Sequence, residues 1–195
     1  MKTKKFFIIP GFKMKASDKA FSVLINHLAQ EGYSVIKVPV DWRYKTLSIN
    51  AEEFRTFFDA NKAEVNYVLG FSYGAVIAFI TANKLMPRKV FLCSLSPTFS
   101  EDNAWEKKWI KYIGKRRYED SLTRSSLQIA KDLQIPTVIF CGEKEAIKYP
   151  ALFKRCREVS EASAKSKLVM VKNAPHRIDF PEYVSAIKKE LGALK

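Results

Sequence analysis

The chain has 195 residues, 47% hydrophobic and 13% aromatic, which suits one domain with a substantial core and excludes a disordered segment. Its formal net charge of +14 reads as solvated lysines on helix faces or as attraction to an anionic partner; no helix-turn-helix, zinc-finger or RNA-recognition signature accompanies it, so no specific nucleic-acid partner is expected. No apolar run reaches the length of a membrane span, the three cysteines are too scattered for a disulfide framework, and the two histidines lack metal-ligand spacing; a cytoplasmic setting, with no metal and no cofactor, fits these counts.

Residues 5–9 read as a first strand. The basic start imitates a signal peptide, but its apolar part is short and Pro10-Gly11 stops it. Ser17 is placed to cap a helix whose apolar face is Phe21, Leu24, Ile25 and Leu28, and Gly32 ends it. Residues 34–38 form the second strand. Asn50 with Glu53 reads as a capping pair ahead of Phe54, Phe57 and Phe58. Residues 65–69 are the third strand, and 73–85, apolar nearly all round, a buried helix closed by Pro87. The fourth strand is 89–93. Residues 97–120 break the rhythm and are strongly polar. Asp120 then opens a helix with Leu122, Ile129 and Leu133 inward. The fifth strand is 137–141, 150–159 is helical, and 167–171 is the sixth strand. Pro181 starts a last helix with Val184, Ile187 and Leu191 on one face.

Apolar strands alternating with amphipathic helices predict an α/β domain over 1–195, with a mostly parallel six-stranded sheet and helices on both faces. Sites in such sheets form beyond the carboxyl ends of the strands. The loops starting at Pro10, Val40, Gly70, Ser94, Gly142 and Lys172 therefore share one rim.

On that rim, Gly70-Phe71-Ser72-Tyr73-Gly74 is the most informative stretch. It reads G-x-S-x-G between an apolar strand and a buried helix. That context holds a serine in a sharp turn at the positive end of a helix, and the glycines remove Cβ atoms that would collide there. A serine hydroxyl is a poor nucleophile without a base. His27 falls on the polar side of the first helix, whereas His176 follows the sixth strand on the rim. A carboxylate would fix the histidine tautomer. Glu145 and Glu143 after the fifth strand, Asp179 beside His176, and Asp102 after the fourth strand are all candidates. The backbone N–H groups of Tyr73 and Phe12 are the candidate oxyanion donors.

These residues resemble the motifs of the α/β-hydrolase superfamily, in particular its small single-domain serine hydrolases with a minimal cap. The resemblance rests on the Pro-Gly-Phe loop, Gly-Phe-Ser-Tyr-Gly, Gly-Glu-Lys-Glu and the late His176, in the chain order serine, acid, histidine. It implies a Ser-His-acid triad working through an acyl-enzyme, with Ser72 as nucleophile, His176 as base, and Phe12 and Tyr73 as oxyanion donors. The acid position maps to Glu145, a glutamate where aspartate is commoner, and Pro10 stands where His-Gly is commonest. The insertion at about 97–120 corresponds to a lid. Trp105, Trp109 and Tyr112 recur there at helical spacing among lysines, and Trp42 leaves the second strand as an opposite wall. The expected activity is a carboxylesterase acting on a small or medium ester or thioester, with an anionic substrate suited to the basic lid. A thioesterase, amidase or peptidase would use the same parts. A non-catalytic binding protein on this fold is the alternative of a different class.

Overall fold

A computed structural model of the chain describes residues 3–102 and 107–192. In chain order the elements begin with β1 (Lys4–Ile9), α1 (Ser22–Gln30), β2 (Ser34–Lys37), α2 (Leu47–Asn61), β3 (Val65–Phe71), α3 (Tyr73–Leu85) and β4 (Lys89–Cys93). Then follow α4 (Lys107–Ile113), α5 (Lys115–Ser121), α6 (Ser126–Lys131), β5 (Thr137–Gly142), α7 (Glu143–Lys148), α8 (Pro150–Ala162), β6 (Ser166–Val171) and α9 (Pro181–Gly192).

The strands pair in one six-stranded sheet, order β2-β1-β3-β4-β5-β6, and every pairing is parallel. Strand side chains alternate between faces, and here both sets are apolar. Phe7, Ile9, Val68, Leu92 and Ile139 point to one face, where α2, α3 and α8 supply Phe54, Val76, Phe79 and Val159. Phe6, Ile8, Leu69, Phe91 and Phe140 point to the other, covered by α1 and α9 through Leu24, Leu28, Ile187 and Leu191. The register sets Ile9 beside Gly70, Phe71 beside Cys93, and Gly142 beside Val171, so the carboxyl ends lie level and their loops gather on one rim.

The structure corrects three helix starts. Ser17 caps nothing: a short 3-10 turn, Lys19–Phe21, leads into α1, and the nearby Asp18 carboxylate accepts the Lys15 N–H instead. Thr46, not Asn50, caps α2, accepting the Ile49 N–H, and Leu47 is buried as the helix enters. Asn50 lies a turn inside, buried, its amide without a hydrogen-bond partner among the described residues. Asp120 ends α5 rather than opening a helix. It accepts both the N–H (2.9 Å) and the hydroxyl of Ser48, tying α5 to the start of α2. Ser125 caps α6 in its place, accepting the Gln128 N–H at 3.1 Å.

The segment after β4 is fastened at its start as well. Glu101 accepts the N–H groups of Ser126 and Leu127, each at 3.2 Å, at the first turn of α6. Arg155, 1% exposed on α8, grips Asp102 through Nε (3.2 Å) and Nη2 (2.7 Å). Two planar groups matched this way hold direction as well as distance.

Candidate active site

Ser72 joins β3 to α3 with φ 56° and ψ −120°. A non-glycine residue held there costs about 1–3 kcal/mol, so its surroundings must impose it. They do so through backbone packing. A Cβ on Gly70 would lie 2.3 Å from the Gly74 carbonyl oxygen, and one on Gly74 would lie 2.3 Å from the carbonyl oxygen of Pro10. The Ser72 N–H donates to the Cys93 carbonyl at 2.8 Å, locking the turn to the end of β4. The hydroxyl stands half-buried at the N-terminus of α3, where the first N–H groups have no helical acceptor and the dipole favours negative charge.

His176 comes from the loop after β6. Its Nε2 is 3.1 Å from Ser72 Oγ, and its Nδ1 bonds Glu145 Oε1. The ring sits between Phe71 (5.0 Å) and Tyr149 (5.8 Å). Glu145 occupies the first turn of α7, and its side chain is 0% exposed against 28% for His176. Its Oε2 accepts the Gly142 N–H at 2.9 Å and the Ser94 hydroxyl at 3.0 Å. The two loops touch through backbone: the Glu145 N–H donates to the Ala174 carbonyl at 3.2 Å, and a Cβ on Gly142 would lie 2.2 Å from that oxygen. An ionised carboxylate only accepts, so the network assigns the ring proton to Nδ1 and turns the Nε2 lone pair toward Ser72. This arrangement can take a proton from the hydroxyl as it attacks an electrophile.

The other candidate carboxylates are engaged elsewhere. Glu143 accepts the Asn173 N–H at 2.9 Å and straps the histidine loop from outside. Asp179 pairs with Arg177 at 2.7 Å, and Asp102 is held by Arg155. Among the described residues, Glu145 alone of the four meets the His176 ring.

The first loop abuts the serine: a Cβ on Gly11 would lie 3.3 Å from Ser72 Cβ. The Phe12 ring is walled in by Trp42 (5.6 Å), Tyr73 (5.8 Å) and Tyr112 (5.5 Å), with the Arg117 guanidinium 5.1 Å from its centroid. Arg117 also donates to the Ile113 carbonyl at 2.7 Å and to the Trp42 carbonyl, and Trp42 Nε1 donates to the Met14 carbonyl at 2.9 Å. The loops carrying Phe12 and Trp42 are thus braced by α5. Trp105 lies outside the described residues, as does the side chain of Trp109.

Sequence reasoning missed several neighbours. Ser96 Oγ is 3.3 Å from Ser72 Oγ. Ser94 and the buried Tyr183 back the Glu145 carboxylate, and Arg117 braces the first loop. Only Tyr183 left a trace: it lies four positions before Ile187, on the apolar side of α9. Among the described residues no group of three His, Cys, Asp or Glu side chains could hold a metal ion, and no helix is long and apolar enough to cross a membrane. A cavity of about 270 Å³, bordered by Arg55, Thr81, Lys84 and Arg124, contains none of the predicted site residues.

No protein-family model matches the chain, and no curated protein matches it by sequence. Solved structures do. Est1E from Butyrivibrio proteoclasticus superposes with TM-score 0.82 at 16% identity, covering 98% of this chain and 88% of that one. An esterase, EaEST, from Exiguobacterium antarcticum gives 0.74 at 15%, over 100% and 92%. The mouse α/β hydrolase domain-containing protein 10 gives 0.72 at 12%, over 97% and 88%. Identities this low speak to architecture alone, and the parallel sheet with its strand–serine–helix turn agrees with it: the chain has the α/β-hydrolase fold.

Proposed function

We propose that the protein is a serine hydrolase, a carboxylesterase acting on small or medium esters through an acyl-enzyme on Ser72. The observation that carries this reading is the continuous contact from Ser72 Oγ through the His176 ring to the buried Glu145 carboxylate. Two of the structural neighbours, Est1E and EaEST, are consistent with it, the second being named an esterase.

In this reading Ser72 Oγ attacks the ester carbonyl carbon while its proton passes to His176 Nε2. The resulting oxyanion is met by the N–H groups of Tyr73 and Phe12, the first on the positive end of α3. The tetrahedral centre collapses, the bond to the leaving alkoxide breaks, and His176 returns its proton to that oxygen. Water then adds to the acyl carbon with His176 again as base, and collapse frees the acid and Ser72. Glu145 keeps the ring in its working tautomer and stabilises the imidazolium.

Residues 97–120 serve as the lid in this proposal, with Trp42 on the facing wall. Lys13 lies 4.5 Å from the Tyr112 ring centroid and, like Lys111, makes no ion pair among the described residues, so an anionic acid or alcohol part is favoured at the mouth. Three buried free thiols, Cys93, Cys141 and Cys156, suit a cytoplasmic setting.

A panel of p-nitrophenyl esters, thioesters and anilides, each neutral or bearing a carboxylate, tests the proposal. Ester turnover that disappears in Ser72→Ala supports it, with higher kcat/KM for the anionic esters at low salt. Equal values across the charge series remove the electrostatic part. Turnover retained by Ser72→Ala contradicts the serine mechanism.

A further inference from the structure

Behind Glu145 lies a second set of hydroxyls that the chemistry above does not use. Ser94, at the end of β4, is 0% exposed and held at φ 58°. Its Oγ is 3.0 Å from Glu145 Oε2 and 2.9 Å from the Tyr183 hydroxyl. Tyr183, also 0% exposed, reaches in from α9, and its hydroxyl is 3.0 Å from the Phe140 carbonyl.

Counting protons sets the direction of these bonds. Glu145 as a carboxylate can only accept. The Phe140 carbonyl accepts on both lone pairs, from the Ser94 N–H at 2.8 Å and from the Tyr183 hydroxyl at 3.0 Å. Because the carboxylate cannot donate, the Ser94 proton goes to Glu145 Oε2, and the Ser94 oxygen accepts from Tyr183, whose one proton it shares with the Phe140 carbonyl. With the Gly142 N–H, Oε2 then has two donors, and Oε1 is left to His176. A fully buried carboxylate stays ionised only where donors replace the lost water.

We propose that Ser94 and Tyr183 are positioning residues of the active site: a buried relay, Tyr183 O–H to Ser94 O–H to Glu145, that holds the carboxylate in place and fixes which oxygen faces His176. The proposal rests on the reading of Ser72, His176 and Glu145 as a triad. It draws a residue of the last helix into the active site, although Tyr183 touches no reacting atom.

The groups facing Glu145 from each packed element are Cys93 on β4, Cys141 on β5, Tyr183 on α9 and His176, with Cys156 of α8 behind Cys141. Burial pushes the Cys93 thiol and the Tyr183 phenol up, and the neighbouring Cys156 thiol together with burial pushes Cys141 up. All three stay neutral across the working range. Nearest the ring in the chain, Arg177 pairs with Asp179, and Lys148 lies over Tyr149. The variants below leave both alone.

Removing a donor from the carboxylate raises the proton affinity of the coupled Glu145–His176 pair, so the acid limb of the pH–rate profile moves up. In Ser94→Ala, kcat/KM for an activated ester falls about tenfold and its acid limb rises by about half to one pH unit between roughly pH 5 and 9. Tyr183→Phe shifts it the same way by less. The double variant matches Ser94→Ala alone, because Tyr183 acts only through Ser94. Ser94→Gly reproduces the shift with a residue that accepts φ 58° freely, which separates a lost hydroxyl from a damaged turn.

NMR titration of the His176 ring in wild type and Ser94→Gly reads the same rise without turnover. A wild-type protein inactive on every ester contradicts the esterase reading alone. An unmoved ring titration and acid limb in both Ser94 variants, or additive losses in the double variant, overturn the relay.

Discussion

Gly74→Ala tests the geometry that presents Ser72. The added Cβ would lie 2.3 Å from the Pro10 carbonyl oxygen, 2.5 Å from that of Ile9 and 2.9 Å from the Ile9 carbonyl carbon, whereas real Cβ atoms essentially never approach closer than 3.0 Å. All three are backbone atoms, so no side chain can swing away. The start of α3 must back off β1 by about 0.7 Å, carrying Ser72 with it. Overpacking of this kind costs about 3 kcal/mol, which for a chain of this size lowers Tm by about 6–12 °C. A nucleophile misplaced by most of an ångström loses roughly 10–100-fold in rate. Differential scanning calorimetry and ester kinetics read the two effects. Two alanine substitutions at other glycines calibrate them. Gly192→Ala, at the end of α9 with nothing within 4 Å, keeps full activity and raises stability by up to about 1 kcal/mol; Gly32→Ala, at φ +81° in open space, costs about 1 kcal/mol with full activity. A Gly74→Ala protein with wild-type Tm and wild-type rate refutes the packing argument for the serine turn.

Glu145→Gln lowers kcat by about 10³-fold or more, while Glu143→Gln, whose carboxylate only straps the Asn173 N–H, stays within about threefold; the reverse ranking moves the acid assignment. Arg155→Met leaves Asp102 buried and uncompensated and costs about 3–5 kcal/mol in urea unfolding, most of it recovered when Asp102→Leu is added. Glu101 is raised by burial but lowered more by bonds from the Ser125 hydroxyl and the backbone N–H groups of Leu127 and Ser126, which hold it at about 2 against 4.5 unperturbed. Its stabilisation is therefore complete above about pH 4.5 and fades as pH falls toward 2, roughly 1 kcal/mol after solvent screening. The stability gap between wild type and Glu101→Gln should close across that window.

The sheet was legible because its strands are apolar on both faces. Phe6-Phe7-Ile8-Ile9 and Val138-Ile139-Phe140-Cys141 have nowhere to go but between two layers of helices. The serine turn was legible because Gly70 and Gly74 are required by backbone contacts that any sequence with this turn must relieve. Helix starts were less readable. Asn50 and Asp120 look like caps in isolation, but burial of Leu47 begins α2 earlier, and Asp120 finds its partner in Ser48, distant in the chain. The supports of Glu145 were invisible for a related reason. A serine after a strand and a tyrosine on an apolar helix face carry no local sign that they meet over one carboxylate, which only the parallel register and the docking of α9 bring about. The same holds for Arg117, which reads as one more charge in a basic run and instead packs over Phe12.

The central claim is that Ser72 is a nucleophile activated by His176. Intact-protein and peptide mass spectrometry after exposure to a fluorophosphonate tests it most directly. The account predicts a single phosphonyl adduct on the peptide containing Ser72, none in Ser72→Ala, and labelling slowed at least about 100-fold in His176→Ala. A wild-type protein that stays unmodified, or one modified at another residue with Ser72 untouched, contradicts it.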